Sequence, residues 1–167
     1  MNTLMGRNGL AHRTSGITLI ELLIVLVVVS ILVGIAYPGY QQFVQRARRS
    51  EAQIALTQLA AAQEKLFTRC STYTQDLNNI ASVACNLAYT ASAAAKTTNE
   101  GNYSISAAGI PDASGTSFVG FTLTAAPVAG KPQANDSKCA SIVLASTGQK
   151  TALSSGAADT TSECWKK

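Results

Sequence analysis

The sequence holds little charge and few aromatic rings. Charged residues make up 13% of its 167 positions, and Phe, Tyr and Trp together 6%. There is one histidine, His12, and it precedes the main apolar run, so His-based nucleophilic or metal chemistry has no residue to use further along the chain. No GxSxG, phosphate-loop or paired-carboxylate motif stands out. These absences argue against an enzyme, and no cofactor is expected. The cysteines Cys70, Cys85, Cys139 and Cys164 form no CxxC pair, and their spacing is poor for zinc. An even set of this kind reads better as two disulfides in an oxidising compartment. The net charge of +4 is halved once Arg7 and Arg13, ahead of the apolar run, are set aside; that excess does not by itself imply a nucleic-acid partner.

What the sequence does have is one long apolar run. Residues 22–36 are hydrophobic apart from Ser30 and Gly34. Three readings compete for it. A secretory signal would need a small-residue cleavage site, and the nearest candidate, Gly34-Ile35-Ala36, is followed by bulky Tyr37 and Pro38. A simple anchor is the second reading: as a helix, residues 17–37 rise about 31 Å, close to the thickness of a bilayer core.

The third reading accounts for Glu21. A carboxylate in such a span costs about 2.5–3.5 kcal/mol on insertion scales, so it calls for a partner or a function. It lies one helical turn from Ile17. Cleavage between Gly16 and Ile17 would create an α-amino group there, mostly cationic at neutral pH. In a stack of parallel helices, Glu21 of one subunit would meet its neighbour's new N-terminus. At about 4 Å and an effective dielectric of 20 the attraction is about 4 kcal/mol before desolvation. The competing reading is a Glu snorkelling at the headgroup boundary of an ordinary anchor.

Beyond the run, Tyr40, Phe43, Val44, Ala47, Ile54, Leu59, Ala62 and Leu66 recur at roughly helical spacing, which predicts an amphipathic continuation ending near Arg69. Pro38 interrupts it. The missing N–H leaves the Gly34 carbonyl unpaired, and Gly34 is itself a weak helix former, so the pair predicts a kink or a segment that melts easily. Arg46, Arg48 and Arg49 follow. A cluster just past a span usually marks the cytoplasmic side, but Arg7 and Arg13 precede the span, and the disulfides place residues 70–164 outside the cytoplasm. A solvated face, lipid headgroups and acidic groups on a neighbouring subunit are the three readings of these arginines.

Residues 70–101 read as a loop with a low-complexity stretch at 91–95. Alternation predicts strands at 102–107, 120–126 and 140–145, with Gly148 in a turn and a short fourth strand at 150–153. An antiparallel sheet laid on the helix would bury both apolar faces, giving an α+β architecture. Of three possible cysteine pairings, Cys70–Cys85 and Cys139–Cys164 each close a local loop. The second would staple the tail and bound a loop over residues 150–162, read either as stabilisation alone or as an exposed, stapled recognition loop.

Ser15-Gly16-Ile17-Thr18-Leu19-Ile20-Glu21-Leu22-Leu23 resembles the class III signal of type IV prepilins. The strand around Phe121, the Cys139 strand, the turn at Gly148 and the closing Cys164-Trp165 are similar to the tail of PilE-type minor pilins. The resemblance implies the type IV pilin fold: a long N-terminal helix, its apolar half protruding, packed on a small antiparallel sheet with a stapled C-terminal loop. It implies a leader over 1–16, a filament-core helix over 17–38, its amphipathic continuation over 39–69, a loop over 70–101 and a sheet region over 102–167. A prepilin peptidase would cut after Gly16 and methylate Ile17. Thr18, Glu21, Gly34 and Pro38 would serve assembly with other pilins. The precursor would sit in the inner membrane with its C-terminal domain in the periplasm, then move to an extracellular pilus. The leading function is a minor pilin in pilus assembly. The alternatives are a major pilin, a type II secretion pseudopilin, and a DNA-uptake pilin with Lys131, Lys138, Lys150, Lys166 and Lys167 along a basic stripe, which would give salt-dependent affinity.

Overall fold

The computed structural model describes residues 16–89 and 93–166. Arg7, His12, Arg13 and Ser15, part of the low-complexity stretch, and Lys167 lie outside the described residues. The chain divides into two compact units, with the boundary between Gln41 and Gln42. Helix α1, Leu19–Cys70, contributes to both.

In the first unit, Thr18 starts the helix. Its hydroxyl accepts the Glu21 N–H at 3.3 Å and its carbonyl accepts the Leu22 N–H at 3.2 Å. With Glu21 three residues on, this is the hydroxyl half of a capping box. Every large apolar side chain from Ile17 to Ile35 is exposed; Val29, the least so, is 47% exposed. An apolar surface that continuous is unfavourable in water and needs lipid or other helices to cover it. Pro38 lies inside α1, so the helical segment continues through the position where the sequence predicts a kink or a melted stretch.

In the second unit, α1 buries Arg49, Ala52, Leu56, Leu59, Gln63 and Leu66, spaced alternately three and four residues apart. The predicted face was partly different. Phe43 and Ile54 are exposed, and the stripe that meets the sheet is rotated to include Ala52, Leu56 and two polar residues. The sheet is a five-stranded antiparallel meander in the order β1 (Lys96–Thr97), β2 (Tyr103–Pro111), β3 (Phe118–Pro127), β4 (Ser141–Ala145), β5 (Lys150–Leu153). Tyr103 and Ile105 on β2, Phe121 and Leu123 on β3 and Ile142 on β4 are buried in one cluster with the helix stripe. Two strands exceed their predicted extents: β2 continues to Pro111 and β3 begins at Phe118. β1 falls in a segment read as loop. It exists because Lys96 and Thr97 pair with Ile105 and Ser104, not because of its own polar sequence.

The connection between α1 and the sheet is ordered by polar contacts. Gln63 is wholly buried; its amide donates to the Thr74 carbonyl at 2.6 Å and accepts the Thr74 N–H at 3.1 Å. Thr72 Oγ1 accepts the Phe118 N–H at 2.9 Å. Arg69 donates to the Val83 carbonyl at 2.9 Å, and Cys70 is bonded to Cys85.

Candidate functional site

The residues singled out in the sequence fall into two groups. Gly16 and Ile17 precede α1, and Ile17 is 76% exposed. Thr18 caps the first turn of α1 and Glu21 lies in that turn with its side chain exposed. A Cβ built at Gly34 would meet nothing within 4 Å. The N-terminal group is therefore an exposed apolar helix carrying one carboxylate a turn from the bond between Gly16 and Ile17.

The second group surrounds the C-terminal staple. Cys139 is bonded to Cys164 across 25 residues of sequence. Short helix α2, Thr161–Cys164, is tied to its surroundings on several sides. Thr161 Oγ1 accepts the Ala152 N–H at 2.9 Å, Thr160 Oγ1 donates to the Lys138 carbonyl at 2.8 Å, and Gln53 Nε2 donates to the Cys164 carbonyl at 2.7 Å. Trp165 is partly buried, with its Nε1–H donating to the Thr151 carbonyl at 3.0 Å. The segment read as an exposed stapled loop, 150–162, therefore begins with a strand and ends in a helix; its continuously exposed part is 155–159.

The lysines of the proposed stripe differ in their surroundings. Lys150 Nζ sits 5.0 Å over the Trp165 ring. Lys138 is paired with Glu163 at 2.8 Å, and this bond lowers the Glu163 carboxyl below its ordinary value. Lys131 is exposed at the start of a 3₁₀ turn, Pro132–Asn135. Lys166 and Lys138 line one concavity of about 820 Å³ together with Arg46 and Arg49 from α1.

Arg49 departs from its expected place on a solvated face. It is buried rather than solvated, and its guanidinium forms a bidentate pair with Asp136, Nε to Oδ2 at 2.7 Å and an Nη to Oδ1 at 2.8 Å. The hydrogen bonds that Arg49 donates to the Asp136 carboxylate chiefly raise the Arg49 pKa, against the opposing effect of burial. Gln133 Nε2 bridges Asp136 Oδ2 and Tyr103 Oη, both at 2.9 Å, and burial pushes the Tyr103 phenol well above its usual value. No local pattern marks this network, because Asp136 lies 87 residues from Arg49. Of the three arginine readings, an internal ion pair was not among them.

An exposed apolar helix with a carboxylate in its first turn, continued into a helix that packs on an antiparallel meander closed by a C-terminal disulfide, is the architecture of a type IV pilin. Residues 11–37 match the prokaryotic N-terminal methylation motif. Residues 38–143 match the family described as type IV minor pilin ComP, DNA uptake sequence receptor, and the chain belongs to that family. It is also similar to the type IV major pilin protein PilA of Myxococcus xanthus (strain DK1622), with 36% identity over 112 residues, 64% of this chain. The chain spans about half, 51%, of the length of that relative.

Proposed function

We propose that the chain is a minor-pilin subunit of a type IV pilus, processed after Gly16, methylated on Ile17 and held in the filament by the helix over residues 17–38. The observation that carries this reading is the exposure of the whole apolar face from Ile17 to Ile35, with one carboxylate, Glu21, a single turn from the processing site. Before assembly the bilayer covers that surface. In the filament, neighbouring helices cover it, and Glu21 pairs with the N-terminus of an adjacent subunit. Thr18 caps the first turn, so the carboxylate is presented from an ordered helix end. Gly34 and Pro38 make the helix weakest near the end of the span, where it would unwind on leaving the bilayer. Intact-mass and N-terminal measurement of the chain from sheared filaments tests this reading. A chain beginning at methylated Ile17 supports it; one beginning at Met1, or cut after the apolar run, overturns it.

A DNA-uptake role is the second reading, supported by the family's description. The exposed cations Lys131, Lys150 and Lys166 would contact phosphates, with Lys167 outside the described residues. Lys138 contributes less, since Glu163 already neutralises it. A mobility shift of the full chain on duplex DNA at two salt concentrations tests it. Each phosphate-contacting lysine removed lowers the salt slope by about 1; unchanged migration at low salt ends this reading.

A further inference from the structure

The concavity beside the Arg49–Asp136 pair is lined by four cations and two carboxylates. Both carboxylates are engaged, Asp136 by Arg49 and Glu163 by Lys138. Arg46 and Lys166 remain, both exposed and without an acidic partner among the described residues; Arg46 Nε donates only to the Gln42 carbonyl of its own helix, at 3.4 Å. Phe43, 67% exposed, supplies an apolar lip, and Ser50 and Ser137 add hydroxyl donors. Two unpaired cations, neutral donors and an apolar edge are the chemistry that holds a phosphodiester joined to a greasy body.

The position in the chain identifies the source of that phosphodiester. Gln42, the first lining residue, lies five residues beyond Tyr37, where the apolar span ends. Five residues reach at most about 18 Å even when fully extended. The concavity is therefore tethered within reach of the headgroup layer whenever residues 17–37 span the bilayer. Anionic headgroups attract basic groups close to a membrane surface.

We infer that Arg46 and Lys166 form a seat for the headgroup of an anionic phospholipid, occupied while the subunit waits in the membrane. This rests on the membrane stage of the function proposed above. The test uses the full chain in nanodiscs of phosphatidylglycerol and phosphatidylcholine, with the lipid retained on the chain measured by native mass spectrometry. Phosphatidylglycerol is retained preferentially. The double variant Arg46→Gln/Lys166→Gln lowers its retention by about tenfold or more, the order expected for two cations at an anionic surface. The control Lys131→Gln/Lys150→Gln, which removes equal charge elsewhere, leaves retention unchanged.

A smaller fall in the first variant, or an equal fall in the control, overturns the inference. Retention that is unaffected while duplex DNA or a second copy of the chain is lost assigns the seat to that partner and also overturns it. Flotation of the chain with vesicles separates the two levels. A chain that floats but shows no phosphatidylglycerol preference refutes the seat alone; a chain that does not float refutes the membrane stage as well.

Discussion

Arg49 and Asp136, 87 residues apart in sequence, meet in a buried bidentate ion pair that ties α1 to the turn ahead of Cys139. Both side chains are almost fully enclosed, at 8% and 1% exposure. Removing one partner strands the other charge. Arg49→Met is expected to cost about 3–5 kcal/mol in unfolding free energy, and Asp136→Asn a similar amount. The double variant Arg49→Met/Asp136→Leu should recover much of the loss, because neither charge is then left buried. Denaturant unfolding of the three variants measures this directly.

Gln63 predicts a different behaviour. An apolar replacement on a helix face that packs against a sheet would ordinarily be harmless or stabilising. Here Gln63→Leu leaves both the N–H and the C=O of Thr74 without their partner. Each unsatisfied buried group costs about 1–3 kcal/mol. The variant is therefore less stable, and amide exchange at Thr74 accelerates more than at Leu123 in the sheet.

The two disulfides close loops of different length, with separations of 15 and 25 residues. In the chain-entropy model each contributes roughly 3 kcal/mol, and the longer loop about 0.5 kcal/mol more. Replacing Cys139 and Cys164 by serine should lower the melting temperature somewhat more than replacing Cys70 and Cys85.

Asp112 gives the pH dependence its sign. Its carboxylate accepts bonds from Ser114 Oγ, the Thr116 N–H and Ser117, and these hold its pKa well below the ordinary carboxylate range. A group whose folded pKa is depressed stabilises the fold above its unfolded value, near 4, and that contribution is lost as pH falls through the folded value. Thermal scans from pH 6 down to about pH 2 should therefore show a shallower decline for Asp112→Asn than for the parent chain.

The helix, its end near residue 70 and four of the five strands are written in local pattern, because alternation and helical spacing repeat over many residues. β1 is not, because two polar residues carry no period and become a strand only through β2. The buried face of α1 was legible at Leu59 and Leu66 but not at Arg49 or Gln63. Those two polar residues are buried because distant partners, Asp136 and Thr74, satisfy them, and hydropathy has no access to that information. The exposed apolar face needed no partner to be read, since composition alone marks it. The concavity around Arg46 and Lys166 joins residues about 120 positions apart, beyond the reach of any sequence motif.

On the proposed function, Glu21 finds its counter-charge only in the assembled fibre. Incorporation of Glu21→Ala into sheared filaments, measured against its level in the inner membrane, tests that most directly. The expected variant is made and processed to Ile17 but remains in the membrane fraction. Glu21→Ala appearing in sheared filaments at the parent's level would contradict it.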